Sequence, residues 1–362
     1  RGRDPARTMN RDPAAWARPH VRTLRPYTAA RHLYREGLFL DANENPYGTL
    51  APEVDPNLHR YPDPTCTELR TALARYVGVE PARIGVGNGS DEGIELLLRA
   101  FVEPGEAVVV AEPTYGMYRI AAEAHGARVA GVPLDDAFDV DVEATLRAAA
   151  DAKCIFLCSP NNPTGNCLDP DRVERLAQAF DGLVIVDEAY VEFSARPSLV
   201  PRTRAHRNLV VLRTLSKAWG LAGARVGYWV ADPEVIEILD RVNLPYPLST
   251  TSARAACLAL ARADEMEARR ARILAERERL ARRLEGMGYR VLPSDANFLL
   301  VRVPGAAAVA RRLAERYGIV VRDRSGLPRL HDALRVTVGR PEDTDRLCDA
   351  LEAIRAGELP LP

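Results

Sequence analysis

From about residue 66 the chain alternates short apolar runs with amphipathic segments, and no other feature limits its fold as strongly. EAVVVAE (106–112), CIFLC (154–158), GLVIV (182–186) and NLVVL (208–212) are apolar almost throughout. Runs of that length read as strands covered on both faces, as in a mostly parallel sheet. Between them lie segments with helical apolar spacing: TELRTALARYV (67–77), TYGMYRIAAEAHG (114–126), VDVEATLRAAA (140–150) and DRVERLAQAF (171–180). RVAGVPL (128–134) reads as a further strand, and IGVGNGSDEGIELLLRAFV (84–102) as a glycine loop feeding a helix. The order predicts an α/β fold, a central mostly parallel sheet flanked by helices. Such sheets take ligands at the carboxyl ends of their strands.

The pattern changes after NLPYPLST (243–250). A long charged helical stretch (253–288) precedes short strands, YRVLP, ANFLLVRV, GIVVRD and ALRVTVG, around the helix AAAVARRLAERYG (306–318). This predicts a smaller α+β domain. The expected division is an N-terminal arm over 1–24, mobile, a segment over 25–50 joining the small domain, a large domain over 51–250 and a small C-terminal domain over 251–362.

With 362 residues, 47% of them hydrophobic, the chain can bury a large core. Its net charge of -1 gives no electrostatic footprint for nucleic acid. No apolar run approaches the ~20 residues of a membrane span. The six cysteines (Cys66, Cys154, Cys158, Cys167, Cys257, Cys348) show no paired C-x-x-C spacing, and Cys154 and Cys158, flanking the apolar run IFL, read as strand packing. With no targeting signal in view, the expected compartment is the cytoplasm, and small molecules are the expected ligands.

Lysine usage is the next constraint. The chain holds 49 Lys and Arg together, yet only Lys153 and Lys217 are lysines. A guanidinium does the surface work of an amine but stays protonated at ordinary pH, so it cannot act as an amine nucleophile. Lys153 precedes a strand, at the wrong end for a ligand of such a sheet, and reads as surface. Lys217 follows one, in RTLSKAWGLAGARVG (213–227).

Other polar groups fall at the same expected edge. GNGSDEG (87–93) opens a helix whose first N–H groups, at Ser90, Asp91 and Glu92, suit an anion; an ordinary N-cap is the plainer reading. SPNNPTG (159–165) is a rigid turn carrying Asn161 and Asn162. Asp187, in VDEAY (186–190), is a carboxylate at the edge of a buried sheet, costly unless paired; a buried ion pair is the alternative. An amine, a carboxylate, amides, a tyrosine, a phosphate-binding helix start and Arg225 together suit pyridoxal phosphate.

On these motifs, with LRPYTAAR (24–31), LDANENPYG, RYPDP, EPTYGMY, VDEAYVEF, NLPYPLS and LRVTVG (334–339), the chain resembles fold type I pyridoxal-phosphate aminotransferases. Within them it is similar to the histidinol-phosphate aminotransferases, from residue 24 to about 352. The resemblance implies Lys217 as the lysine that bonds the cofactor and shuttles the proton, and Asp187 as partner of the ring nitrogen. Asn162 and Tyr190 would contact the ring hydroxyl, and Tyr115 would stack on the ring. Ser90, Asp91 and Glu92 would form the phosphate cup, closed by Thr214, Ser216 and Arg225. Tyr61 would reach the phosphate held by a partner subunit, which implies a homodimer. Arg335 would hold substrate phosphate and glutamate carboxylate in alternate half-reactions, with Tyr27, Asn43 and Arg322 as further substrate contacts. Trp219 stands where the family pattern has Phe. The implied reaction moves the amino group of L-histidinol phosphate to 2-oxoglutarate, giving imidazole acetol phosphate and L-glutamate in histidine biosynthesis. The same motifs admit an aminotransferase for another amino acid, or a threonine-phosphate decarboxylase. A cofactor-free lysine aldolase would have no use for SPNNPTG or VDEAY, and a pyridoxal-binding regulator would need a DNA-binding module for which the chain has no room.

Overall fold

In the computed structural model, which describes residues 12–26, 42, 44–45 and 48–357, the apolar runs are strands with almost no solvent contact on either face. Among the described residues the first helices are α1 (Pro19–Thr23) and α2 (Thr67–Val77), followed by strand β1 (Ile84–Asn88). Then come α3 (Ser90–Phe101), β2 (Ala107–Glu112), α4 (Met117–Ala124), β3 (Arg128–Pro133) and α5 (Val142–Ala148). β4 (Ala152–Cys158), α6 (Pro170–Ala179), β5 (Leu183–Asp187), β6 (Leu209–Thr214) and β7 (Val226–Val230) complete the first sheet. Helices α7 (Pro233–Val242), α8 (Thr250–Leu260) and α9 (Ala263–Gly286) lead to β8 (Arg290–Val291) and β9 (Phe298–Arg302). The chain closes with α10 (Ala306–Tyr317), β10 (Arg322–Asp323), β11 (Ala333–Thr337) and α11 (Pro341–Ala356).

The seven-stranded sheet has the order β1-β7-β6-β5-β4-β2-β3. Its β2, β3, β4, β5 and β6 pair in parallel, and β7 runs antiparallel to both its neighbours. Alternate strand residues point to opposite faces. Val109, Ile155, Val184 and Val211 therefore pack with Leu69 and Leu73 of α2 and Leu176 of α6. Val108, Val110, Phe156, Ile185 and Leu212 pack on the other side with Ile94 and Leu97 of α3, Tyr118 of α4 and Leu239 of α7. A third cluster joins α9, α10 and α11 to the antiparallel sheet β10-β11-β9-β8. Among the described residues no helix is long and apolar enough to cross a membrane.

Four expectations need correction. IGVGN is a buried strand, not a glycine loop; its glycines make room for Trp229 on β7, since a Cβ at Gly85 would lie 1.8 Å from the indole Nε1. The described part of the expected mobile arm is packed: Trp16, Ala17 and Val21 are buried in the core beside α3 and α7, and Arg18 N–H donates to Ala100 O at 2.9 Å. Apolar side chains at those positions gain more from burial than a short arm loses in freedom. The long charged helix breaks at Ala261–Arg262, and its first part, α8, packs against α2 with Ala256 inside the core of the first sheet. The strands expected in YRVLP and GIVVRD are only two residues each. The segment expected over 25–50 lies largely outside the described residues.

Candidate active site

Strands β4, β5 and β6 end at Cys158, Asp187 and Thr214, and β1 at Asn88, all at one edge of the sheet. Because β7 is reversed, its amino end meets the same edge. Arg225, the residue before β7, takes a left-handed conformation (φ 52°). A small cleft at this edge is partly open to solvent. Its walls bring together Ser90, Asp91, Tyr115, Asn162 and Asp187 with Tyr190, Thr214, Ser216, Lys217 and Arg225.

Asp187 is buried at the base of the cleft. Oδ1 accepts from Ala189 N–H at 3.0 Å and Oδ2 from the Tyr118 hydroxyl at 2.8 Å. Burial dominates and pushes its carboxyl up to about 6, even though both donors favour the charged form. Lys217 Nζ lies 5.5 Å from the centre of the Tyr190 ring. Burial, then the nearby Arg335 guanidinium, pulls its amine below the ordinary lysine range. A depressed lysine holds more of the neutral, nucleophilic amine.

Other groups lining the cleft suit an anion. Helix α3 starts at Ser90 after Gly89, whose φ of 80° an L side chain rarely adopts. A Cβ there would lie 2.6 Å from Arg225 Nη2, so glycine lets the guanidinium approach the helix start. Arg225 Nη2 is 3.4 Å from Asp91 Oδ2, and the Tyr115 hydroxyl donates to Asp91 Oδ1 at 3.1 Å. Thr214 and Ser216 meet through a 2.9 Å hydroxyl contact. N–H groups of the first helical turn, two hydroxyls and a guanidinium could together hold a phosphate.

Other expected residues stand apart. The Glu92 carboxylate turns back to accept from Asn88, away from the cleft wall. Tyr61 lies half-exposed in a separate groove and stacks on Tyr246 with centroids 4.6 Å apart. Arg335 on β11 reaches the cleft indirectly: its Nη1 donates to Asn162 Oδ1 at 2.6 Å. Arg322 faces Arg335 across the β10–β11 pair and is exposed. Tyr27 and Asn43 lie outside the described residues. Lys153 is partly exposed, 3.3 Å from Glu106, at the amino end of β4.

Two groups were not anticipated. Tyr118 reads in sequence as a core residue of α4, yet it carries the hydrogen bond to Asp187; its spacing of one turn from Tyr115 was the available signal. Cys158 also lines the cleft, its thiol pushed up to about 12 by burial and so held in the neutral form.

An amine, a buried carboxylate and a phosphate cradle in one cleft match the aldehyde, ring nitrogen and phosphate of pyridoxal phosphate. Fold and site together define a fold type I enzyme built for this cofactor. Residues 36–351 match the family Aminotransferase class I and II, and the chain belongs to that family. The chain is 43% identical to histidinol-phosphate aminotransferase of Parabacteroides distasonis, over 93% of this chain and 97% of that one. Its fold is similar to the crystal structure of histidinol-phosphate aminotransferase from Sinorhizobium meliloti in complex with pyridoxal-5'-phosphate. The TM-score is 0.79 at 32% identity, covering 87% of this chain and 90% of that one. It is also similar to L-threonine-O-3-phosphate decarboxylase from Porphyromonas gingivalis, with a TM-score of 0.70 at 26% identity, covering 83% and 91%.

Proposed function

We propose that this aminotransferase is a histidinol-phosphate transaminase of histidine biosynthesis. It moves the amino group of L-histidinol phosphate to 2-oxoglutarate, releasing imidazole acetol phosphate and L-glutamate in two half-reactions. The observation that carries the substrate assignment is Arg335 hydrogen-bonded to the cleft residue Asn162, with Arg322 directly opposite it on the neighbouring strand. Two guanidiniums beside the reacting amine suit a phosphate monoester in one half-reaction and a carboxylate in the other.

Bound pyridoxal phosphate supplies an aldehyde that takes up the amino group and a ring that accepts the electron pair left on the substrate carbon. In this reading Lys217 Nζ would hold the cofactor at rest and would take the proton from the substrate Cα as general base. Asp187, held by Ala189 and Tyr118, would stay charged against the protonated ring nitrogen. Asn162 and Tyr190 would hydrogen-bond to the ring hydroxyl, and Tyr115 would cover the ring. The first N–H groups of α3 at Ser90, Asp91 and Glu92, with Thr214, Ser216 and Arg225, would hold the cofactor's phosphate. Tyr27 and Asn43 are assigned to the substrate on the resemblance alone. The working form is a homodimer in the cytoplasm, in which Tyr61 serves the partner's cofactor phosphate; its position away from this cleft supports that role.

The similarity to a threonine-phosphate decarboxylase favours one rival, since that substrate also carries an amine and a phosphate. Stopped-flow bleaching of the lysine-bound cofactor band separates them. L-histidinol phosphate is expected to react far faster than histidinol, histidine, phenylalanine or threonine phosphate. Faster reaction of any other amine overturns the substrate assignment and leaves the family intact.

A further inference from the structure

Arg322 and Arg335 are direct partners in the register of β10 and β11. Arg324 continues that pairing, its N–H donating to Ala333 O at 2.8 Å. Side chains two apart on a strand share a face, so Arg322, Arg324 and Arg335 lie side by side. The intervening acid, Asp323, belongs to the other face and accepts from Ser325 N–H at 2.9 Å and Ser325 Oγ at 2.6 Å. The Nε groups of Arg324 and Arg335 are both buried without a hydrogen-bond partner among the described residues. Arg207, by contrast, turns its Nε to a carboxylate, donating to Asp232 Oδ2 at 3.0 Å, whereas neither Arg324 nor Arg335 has an ion pair with a carboxylate among the described residues. Burial and the neighbouring guanidiniums pull Arg324 below the ordinary arginine range, and Tyr190 of the cleft lies within the same field. Buried donors and clustered like charges are unfavourable until an anion joins them.

We propose that Arg324 is a further substrate-binding residue: a third guanidinium that, with Arg322 and Arg335, receives the phosphate ester of the amino substrate. This rests on the reading of the site given above. A monoester carries a charge of about -1.5 to -2 at neutral pH, against about -1 for a carboxylate. The third cation thus favours the phosphorylated amine over the carboxylate of 2-oxoglutarate at a shared subsite.

The test compares Arg324→Gln and Arg324→Lys with the wild-type holoenzyme on histidinol phosphate, histidinol and 2-oxoglutarate, with inorganic phosphate as inhibitor. Arg324→Gln is expected to lose on the order of 10- to 100-fold in kcat/KM for histidinol phosphate, mostly through KM. Histidinol should change much less, and phosphate inhibition should weaken. Arg324→Lys keeps the charge without the fork and should recover part of the loss; it carries the same comparison if the Gln variant fails to hold cofactor. A wild-type ratio of histidinol phosphate to histidinol in the variants overturns the proposal, as does an equal loss on both substrates. If the wild type itself shows no preference for the phosphorylated amine, the substrate reading falls and the role of Arg324 falls with it.

Discussion

Tyr118 donates its hydroxyl to Asp187 Oδ2 at 2.8 Å, with both side chains sealed from solvent. The bond joins helix α4 to the end of strand β5. The ring of Tyr118 also meets Tyr115 edge-on at 5.5 Å, so one turn of chain braces both the carboxylate and the aromatic wall of the cleft. Replacing Tyr118 by Phe removes the donor and keeps the ring stacked on Phe156. A hydrogen bond to a charged group contributes about 1.5–3 kcal/mol. Tyr118→Phe should therefore release pyridoxal phosphate roughly 10- to 100-fold more readily and also lower the thermal midpoint. Cofactor loss on dilution, followed by absorbance, checks this; wild-type retention would mean that Asp187 does not depend on Tyr118.

Asp187 sets a second, opposed expectation for the cofactor-free chain. Its carboxyl rises from 3.8 to about 6 on folding, because burial penalises the charge. The stability linked to this group is present below the unfolded value and is lost as pH rises through about 6. The shift corresponds to about 3 kcal/mol above that pH. Asp187→Asn removes the ionisable group. The cofactor-free variant should exceed the wild type in urea midpoint at pH 8, with the gap closing towards pH 4, while transamination is lost. A pH-independent gap would show that the carboxylate is not strained by burial.

The strands and the loops that carry the cleft were legible because each is local in sequence. Apolar runs such as CIFLC (154–158), turn residues at Pro160 and Pro163, and a helix start at Ser90 all declare themselves within a few residues. Lys217 stood out by the scarcity of lysine. What was hidden depends on distant packing. IGVGN lacks the bulk of a strand because Trp229, far along the chain, fills the space over its glycines. The reversal of β7, which delivers Arg225 to the edge, is a matter of topology that periodicity does not encode. Tyr118 carries the same pattern as any core tyrosine, and Arg324 in RDRS reads as solvated until the register of β10 and β11 puts it beside two other arginines.

The two lysines give a direct contrast. Lys217 lies in the cleft with its amine depressed by burial and by Arg335, whereas Lys153 makes one partly exposed contact with Glu106. Lys217→Ala should abolish turnover and the lysine-bound cofactor band. Lys153→Ala should leave both in place and lower stability by no more than about 1 kcal/mol, as for other surface pairs. Spectra and steady-state rates of the two variants decide it, and activity surviving in Lys217→Ala would remove the amine from the mechanism.

Arg213 makes the strongest stability prediction, and it concerns the frame of the same cleft. The residue is buried on β6 just before Thr214, with Nε 3.6 Å from Glu188 and Nη2 3.3 Å from Glu192. Glu188 directly follows Asp187, so this ion cluster ties the two strand ends that bear the carboxylate and the lysine loop. Burial already raises both glutamates above the ordinary carboxylate range. Arg213→Met leaves two buried carboxylates without a countercharge, a loss of about 3–5 kcal/mol. The sign of the pH effect follows. Glutamates raised further in the folded variant can be protonated at low pH, so the loss shrinks as pH falls and grows as pH rises through their folded values. Urea unfolding at pH 5 and pH 8 should show the larger deficit at pH 8. Adding Glu188→Gln and Glu192→Gln to Arg213→Met should return part of the stability at pH 8, since no buried charge then lacks a partner. A deficit that is the same at both pH values, and is not relieved by the two glutamines, would assign the role of Arg213 to its packing against Tyr76 instead of to its charge.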